Sequence, residues 1–386
     1  SSSSSSPEFT PASPEELLPA AAKGDDVTVA ATLRNPLTDP NMANNGWTAL
    51  LIGACFNYTS MVGMLLADDR INPNVARLQD GKTSLIYAAR KDHTSVVTLL
   101  LANECVDPNI GDKNGMTALI HAAGYGHDKV VAELLLDERV DPNIANKGGE
   151  TALHVASKKN KSSVVPLLLA DKRVDPNNAT PQGVTSLSAA SEKGHVLVVK
   201  LLLGVDHLDI NITDIRDTTA FMWAAQYGHI PVVTLLLADK RLDPNMLSAQ
   251  IVPMSALALA VLHNKTTAVE LLLADDRVDP NAGTPALTIA VRQPHAKNLI
   301  ELLLASDRTI RERPPEDASH NARGNYDTAL RNIKRPRNAR FRGLTRLMVV
   351  FRRMRLRAAL TVYAPGGTGF AAAAASFNAV AADLLN

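Results

Sequence analysis

Short stripes of apolar residues alternate with polar turns along most of the chain. Between residues 114 and 143 the first stripe contains Ala118, Leu119, Ala122 and Ala123, and the second contains Val130, Val131, Leu134 and Leu135. Both stripes have the spacing of one face of an α-helix. The hydroxyl of Thr117 is placed to cap the first helix, and Gly126 permits the left-handed conformation that ends it. Asp141-Pro142-Asn143 stops the second helix, so the pattern predicts two antiparallel helices joined by a short turn.

The same unit recurs at a nearly constant period. The residue before the first stripe is found at Thr48, Thr83, Thr117, Thr151, Thr185, Thr219 and Ser255, with spacings of 35, 34, 34, 34, 34 and 36. The turn ends at Asn74, Asn109, Asn143, Asn177, Asn211, Asn245 and Asn281, with the same spacings. A period of about 20 to 50 residues is typical of a solenoid, in which each unit buries its apolar face against its neighbours.

The order of residues within the unit carries a family resemblance. Gly-x-Thr-Ala-Leu is followed by Ala-Ala, Gly-His, Val-Val and Leu-Leu-Leu, most clearly at 115–136, 149–169, 183–203 and 219–237. This order resembles the ankyrin repeat over residues 14–305. The resemblance implies an all-α solenoid of helix-turn-helix repeats, with short turns or hairpins between them. It also implies a non-enzymatic scaffold that binds a partner protein.

Some units depart from the family pattern. The Pro that usually follows the capping Thr is Ala or Ser here, and the His after Leu remains only as His154. Pro166 falls inside a second helix, where we expect it to cause a kink. The unit at 251–280 lacks the Gly before Ser255, and the unit at 284–305 lacks the terminal turn. These last two units therefore look like degenerate C-terminal repeats.

The sequence predicts five segments. They are a disordered Ser/Pro-rich N-terminus at 1–12, a degenerate capping repeat at 13–44, eight ankyrin-like repeats at 45–305, a polar linker at 306–340, and a basic amphipathic helix with an Ala-rich tail at 341–386. Ser13 is the expected N-cap of the capping repeat, with Pro14 at the first helical position. The N-terminus has no basic and apolar segments of a secretory type. We therefore expect a cytoplasmic protein, with the nucleus as the alternative.

Charge divides the chain more sharply than its net value suggests. The whole chain carries a net charge of +1. Residues 331–358 carry +11, and the only charged residue after them is Asp383, so the first 330 residues carry −9.

Aromatic residues make up only 4% of the chain, which favours a core of Leu, Val and Ala. Cys55 and Cys105 lie at different places in their repeats, so they predict neither a disulfide framework nor a metal site and favour a reducing compartment.

No motif in the sequence points to catalysis. His127, His195 and His229 share the Gly-His position, and His93 occupies the same place in another unit. This repetition favours a structural role, and we expect His121 and His154 to pack or cap helices. The sequence contains no phosphate-binding loop, Cys pair, His-Glu metal motif or nucleophile elbow. We therefore predict no catalytic residue, no metal, no cofactor and no enzymatic activity.

The resemblance places the binding surface at the turn tips and at the ends of the first helices. Tip positions carry Trp47, Lys82, Met116, Glu150, Val184, Thr218 and Met254, and the variety of these residues is typical of a site shaped by a partner. We expect Trp47, Phe56, Met116, Tyr125 and Tyr227 to expose apolar or aromatic surface in one concave groove. Arg90, Lys91, Lys158, Lys159 and Lys193 form a basic stripe beside them. The hypothesis is a monomer that binds an acidic or acidic-amphipathic segment; the alternative is a solvated lysine face with Trp47 packed on its neighbour.

The tail supports a second functional hypothesis. Its basic residues include Lys334, Arg335, Arg337, Arg346, Arg352 and Arg353. A basic amphipathic helix is suited to an anionic membrane, a groove in a partner protein or nucleic acid, and residues 334–337 match a nuclear import sequence. The alternative function is therefore an adaptor tethered to membrane or nucleic acid by this tail. A solvated tail, or a helix docked on the acidic array, explains the same residues.

Overall fold

The structure, a computed structural model, describes residues 13–249, 252–293, 296–306, 309, 324 and 326–328. The chain divides into two compact units, Ser1–Pro181 and Gln182–Asn386. The predictions for residues 1–12, for most of the linker and for the basic tail lie outside the described residues. Within the described part, the regular elements are helices, and β-structure is limited to isolated bridges at the hairpin tips. The all-α helix-turn-helix architecture predicted from the sequence is confirmed.

The first unit consists of helix pairs. A 3₁₀ turn, Pro14–Glu16, leads into α1 (Leu17–Lys23), α2 (Asp26–Leu33), α3 (Ala49–Phe56), α4 (Thr59–Leu66), α5 (Ser84–Arg90), α6 (Thr94–Ala102), α7 (Ala118–Tyr125), α8 (Asp128–Leu136), α9 (Ala152–Lys158) and α10 (Val165–Ala170). Odd-numbered first helices pack on one another in order, and even-numbered second helices do the same. Val130, Val131 and Leu134 of α8 are fully buried, as the apolar stripe predicts.

The second unit repeats this arrangement. It contains α11 (Ser186–Lys193), α12 (Val196–Leu203), α13 (Ala220–Tyr227), α14 (Ile230–Ala238), α15 (Ala256–Leu262), α16 (Thr266–Ala274), α17 (Ala286–Arg292) and α18 (Lys297–Ala305). The last first helix, α17, begins after Pro285 without a side-chain cap. This missing cap agrees with the degenerate sequence of the last unit. In the described part of the chain, no helix is long and apolar enough to cross a membrane.

The ends of the first helices are set by local chemistry, as predicted. The hydroxyl of Thr117 accepts a hydrogen bond from the backbone N–H of Ile120, and the same contact recurs at Thr48, Thr83, Thr151, Thr185, Thr219 and Ser255. Gly126 ends α7 with a φ of 85°. Asn57, Asp92 and Asn160 adopt positive φ at the same position in other repeats, because Asn and Asp tolerate the left-handed conformation better than most residues.

Two local predictions are wrong. Ser13 precedes a 3₁₀ turn but its side chain makes no cap, because the N–H of Glu16, which the hydroxyl would have to accept, donates to the Ser13 carbonyl at 3.0 Å. Pro166 kinks nothing, because α10 begins at Val165 and the proline lies in its first turn, where an N–H is not required. The helix is short as a result: α10 has 6 residues, whereas α8 has 9.

An outer edge is formed by the Asp-Pro-Asn turns that follow the second helices. Arg173 donates to the carbonyl oxygens of Leu135 and Val140 at 2.8 and 2.9 Å, and its Nη2 lies 2.6 Å from the carboxylate of Asp171. Arg70 and Arg139 make the equivalent contacts in the first unit, and Arg241 and Arg277 make them in the second. Each arginine therefore links its own turn by hydrogen bonds to the C-terminal end of the preceding second helix.

Within each unit, asparagines of the turns form a second link along the outer edge. Asn109 donates from Nδ2 to the carbonyl of Arg139 at 2.7 Å and accepts the N–H of Asp141 at 2.9 Å. Asn143 bridges to Arg173 and Asp175 in the same way. The regular Asn spacing therefore reflects side chains that hydrogen-bond to the backbone of the next repeat.

Candidate functional site

The inner surface of the first unit is made by the hairpin tips and the C-terminal ends of the first helices. The tips are joined by backbone hydrogen bonds, in which Lys113 N–H donates to Asp80 and Lys147 N–H donates to Asn114, at 3.0 and 2.9 Å. Because these bonds fix the spacing of neighbouring tips, side chains from successive repeats come into contact on this surface.

Trp47 is less exposed than the sequence suggests. Its ring centroid lies 5.1 Å from that of Tyr87, and the guanidinium carbon of Arg77 lies 4.5 Å above it. The ring also packs against the cluster of Leu51, Cys55 and Tyr87. Trp47 is half-buried, so the prediction of an exposed ring is wrong, and packing on the neighbouring repeat is confirmed.

Lys82 belongs to a charged network and does not offer a free cation. Its Nζ lies 3.1 Å from Asp80 and 3.7 Å from Asp112, and its side chain is only 13% exposed. Nε2 of His121 lies 3.0 Å from Asp112, and the hydroxyl of Tyr87 donates to Asp80 at 2.7 Å. Lys82, predicted as a partner-binding residue at a turn tip, is therefore already neutralised by two hairpin carboxylates.

The same network shifts the acidities of its members. Burial and the hydrogen bond to Asp80 raise the pKa of Tyr87 to about 12. Burial also opposes ionisation of Asp112, but hydrogen bonds from His121 and from the backbone of Met116 and Asn114 outweigh it and leave the pKa of Asp112 below its ordinary value. Burial lowers the pKa of His121, with Asp112 opposing it. The carboxylates of the network are thus held ionised at neutral pH.

Three predicted cations lie on exposed aromatic rings. The guanidinium carbon of Arg90 is 5.7 Å and Nζ of Lys159 is 5.6 Å from the centroid of Tyr125, and Nζ of Lys91 is 5.5 Å from that of Phe56. Phe56 is 56% and Tyr125 46% exposed. Among the described residues, none of the three cations forms an ion pair with a carboxylate. We call these five residues the cation–aromatic patch.

The other predicted residues are partly engaged within the chain. Lys158 forms an ion pair with Glu150 at 2.7 Å. Met116 is half-buried, and its sulfur accepts a hydrogen bond from Asn146 at 3.3 Å. Lys158 is therefore paired with an acidic residue of its own hairpin, whereas the other predicted stripe residues of the first unit, Arg90, Lys91 and Lys159, lie on aromatic rings.

The second unit presents a different inner surface. Tyr227 is 44% exposed, as predicted, and its ring is stacked between Trp223 and His229 at 5.9 and 6.0 Å. Lys193 is exposed but lies 3.2 Å from Glu192. The sequence reasoning missed Trp223, although its position four residues before Tyr227 on the predicted helix α13 places both rings on one face.

The histidines have structural roles, as predicted. Ring nitrogens of His93, His127 and His229 lie 2.9, 3.0 and 2.8 Å from carbonyl oxygens of the preceding first helix. A carbonyl oxygen only accepts, so each of these nitrogens carries a proton. His154 completes a capping box with Thr151. In the part of the chain that the structure describes, no group of His, Cys, Asp or Glu could hold a metal ion.

Repeated helix pairs, stacked hairpin tips and linked outer turns together define a helical repeat solenoid. A family model described as ankyrin repeats (3 copies) matches residues 17–112, 104–179, 159–248 and 221–313. The chain belongs to the ankyrin repeat family. Repeats of this family are generally protein–protein interaction modules.

Two solved structures illustrate the likeness. The ankyrin repeat domain of Bcl-3, described as a unique member of the IkappaB protein family, is 25% identical with a TM-score of 0.51, covering 56% of this chain and 95% of that one. The ankyrin repeat protein EF0377 is 26% identical with a TM-score of 0.47, covering 50% of this chain and 99% of that one. A search of curated proteins gave no match.

Proposed function

We propose that this chain is a non-enzymatic adaptor that binds an acidic or acidic-amphipathic segment of a partner protein through the inner surface of its first unit. The observation that carries the proposal is the cation–aromatic patch, in which Arg90, Lys91 and Lys159 lie on exposed rings without acidic partners among the described residues. We further propose that the adaptor works as a monomer in the cytoplasm or nucleus.

The physical argument combines charge with apolar surface. The first 330 residues carry −9, so the patch is a local positive region on an acidic body. Such a body repels nucleic acid phosphates but leaves the patch able to attract a short acidic segment at close range. Aromatic rings and arginine are enriched at the energetic centres of protein interfaces. A segment that combines acidic and apolar side chains would satisfy both features of the patch.

The proposal is tested by affinity capture with the full chain. We would compare wild type with the R90Q/K91Q/K159Q variant and with K129Q/K172Q/K240Q, which removes the same charge from exposed lysines outside the patch. Cross-linking and mass spectrometry of the captured proteins should show a set of partners that only the patch variant loses. Equal capture by all three proteins would contradict the proposal.

The same experiment distinguishes the tail-tethered alternative. A fourth variant would carry glutamine at Lys334, Arg335, Arg337, Arg346, Arg352 and Arg353. Loss of membrane or nucleic acid from this variant alone, with the patch variant unchanged, would support an adaptor tethered by its basic tail. If the tail variant still captures the partners that the patch variant loses, this result supports the cation–aromatic patch as the binding site.

A further inference from the structure

Tyr125 lies between two cations that come from neighbouring repeats. Arg90 is the last residue of α5, Tyr125 is the last residue of α7, and Lys159 directly follows α9. The two cationic groups lie 5.7 and 5.6 Å from the same ring centroid. Three consecutive first helices therefore contribute one ring and two charges to a single location.

Local contacts hold this ring in a fixed position. Nε of Arg90 donates to the Tyr125 hydroxyl at 3.2 Å. The ring of His127 stacks on Tyr125 with a centroid distance of 5.8 Å and an interplanar angle of 8°, and Nε2 of His127 hydrogen-bonds to the carbonyl of Arg90. Because the ring is fixed before any ligand arrives, binding costs less side-chain entropy.

Gly124 makes room for Lys159 to reach the ring. Glycine is unfavourable within a helix, yet Gly124 lies in the last turn of α7. A Cβ there would lie 2.8 Å from Cγ1 of Val155 and 3.4 Å from Nζ of Lys159. The missing side chain therefore permits the close approach of α9 and the path of the Lys159 side chain across α7.

We infer that Arg90, Tyr125 and Lys159 form a subsite for one carboxylate of an acidic protein segment, whose neighbouring apolar residue packs on the Tyr125 ring. The inference rests on the proposed function. Because Nε of Arg90 is committed to Tyr125, its two Nη groups, which have no acceptor among the described residues, remain as a fork that matches a carboxylate. The ammonium group of Lys159 supplies the second charge.

The surroundings favour a carboxylate over a phosphate. Phosphate sites commonly add backbone N–H donors at a helix N-terminus, whereas Arg90 and Tyr125 lie at C-terminal helix ends. The donors of the subsite are two side chains, which suit the two oxygens of one carboxylate. Lys91 on Phe56 is a separate cation on a separate ring, so further acidic residues of the same segment have a second place to bind.

The test measures peptide binding to the full chain by fluorescence anisotropy. The probe is a labelled Gly-Glu-Leu-Glu-Leu-Glu-Gly peptide, compared with its glutamine counterpart and with one that carries a central phosphoserine. We expect R90Q and K159Q each to weaken binding about fivefold. The R90Q/K159Q double variant should lose less than the product of the two effects, because both groups bind one carboxylate.

Tyr125 both positions Arg90 and supplies the ring on which the apolar residue packs, and its variants separate these two roles. Y125F keeps the ring but loses the contact with Arg90, and we expect an affinity loss of about twofold, whereas Y125L should lose about fivefold. K172Q is a matched control outside the subsite and should change affinity by less than about twofold. Unfolding curves for each variant establish that the fold is retained.

Three outcomes would overturn the subsite. They are equal binding of the glutamate and glutamine peptides, independent effects of R90Q and K159Q, or binding of the phosphoserine peptide alone. If capture of cellular partners still depends on the cation–aromatic patch in any of these cases, the proposed function stands and only the Tyr125 subsite fails. If patch-dependent capture is also absent, both fail.

Discussion

The outer edge and the inner surface of the first unit share one period but differ in how closely their residues repeat. At the outer edge, Asp137 and Arg139 are followed one repeat later by Asp171 and Arg173, with the same carbonyl contacts. On the inner surface, the corresponding helix-end positions carry Arg90, Gly124 and Lys158. The outer contacts run from side chain to backbone, so every repeat with the same backbone can make them. The inner contacts join side chains whose identity differs from repeat to repeat.

This difference indicates that the outer edge serves stability and the inner surface serves recognition. Backbone contacts that recur at each turn stabilise the interfaces between adjacent repeats, on which a solenoid depends. Side chains at the helix ends of the inner surface do not make these recurring backbone contacts and are available for recognition. Substitutions at the outer edge should therefore change stability, and substitutions in the cation–aromatic patch should change binding.

The largest expected effect on stability is at Arg173. R173A removes hydrogen bonds to the carbonyls of Leu135 and Val140 and the ion pair with Asp171. Because the side chain is 36% exposed, water replaces part of what is lost, and we expect the free energy of unfolding to fall by about 2 kcal/mol. Urea unfolding followed by circular dichroism measures the change. K172A, at an exposed neighbour, should be nearly neutral, and an equal loss in both variants would contradict the role of the outer edge.

A smaller and pH-dependent effect is expected at Asp171. The side-chain hydrogen bond from Arg173, helped by the Arg173 backbone N–H, holds the pKa of Asp171 below its ordinary value. A depressed pKa stabilises the fold above the unfolded-state pKa, about 3.9, and this contribution is lost as pH falls through the folded-state pKa. D171N should therefore cost about 1 kcal/mol at neutral pH, with little difference from wild type in strong acid. Unfolding curves from pH 7 downwards test this; a cost that stays constant below pH 4 would show that charge is not responsible.

The accuracy of sequence reasoning also differs between these regions. The Thr117 cap joins two residues that are three positions apart, and the turn asparagines recur at the repeat period. Both contacts could therefore be predicted from local chemistry and spacing. The ion pair of Lys158 with Glu150 and the burial of Lys82 depend on side chains brought together by the hairpins. The number of residues between two such groups in the sequence does not give the distance between their side chains in the fold. The sequence predicted Arg90, Lys91 and Lys159 for the inner surface, but their positions over the rings of Phe56 and Tyr125 became visible only in the structure.

Cys105 offers a gain of stability at the outer edge. It is exposed and occupies the position of Arg139 in its repeat, and its N–H already donates to Asn103 at 2.9 Å. By the spacing of the other arginines, C105R should reach the carbonyls of Leu66 and Ile71. We expect a gain of about 1 kcal/mol in unfolding free energy. C105K is the matched control, since lysine adds the charge without the planar fork. An equal gain from lysine would attribute the effect to charge alone.

The smallest expected effect on stability is at Lys91, in the cation–aromatic patch. Its ammonium group lies 5.5 Å from the centroid of the exposed Phe56 ring. A cation–π contact at an exposed site is worth about 0.5 to 1 kcal/mol, and glutamine retains part of the packing on the ring. K91Q should therefore lower the unfolding free energy by about 0.5 kcal/mol or less, measured under the same conditions as R173A. A loss as large as that of R173A would mean that the patch holds the repeats together, and the variety of the inner surface would then need an explanation other than recognition.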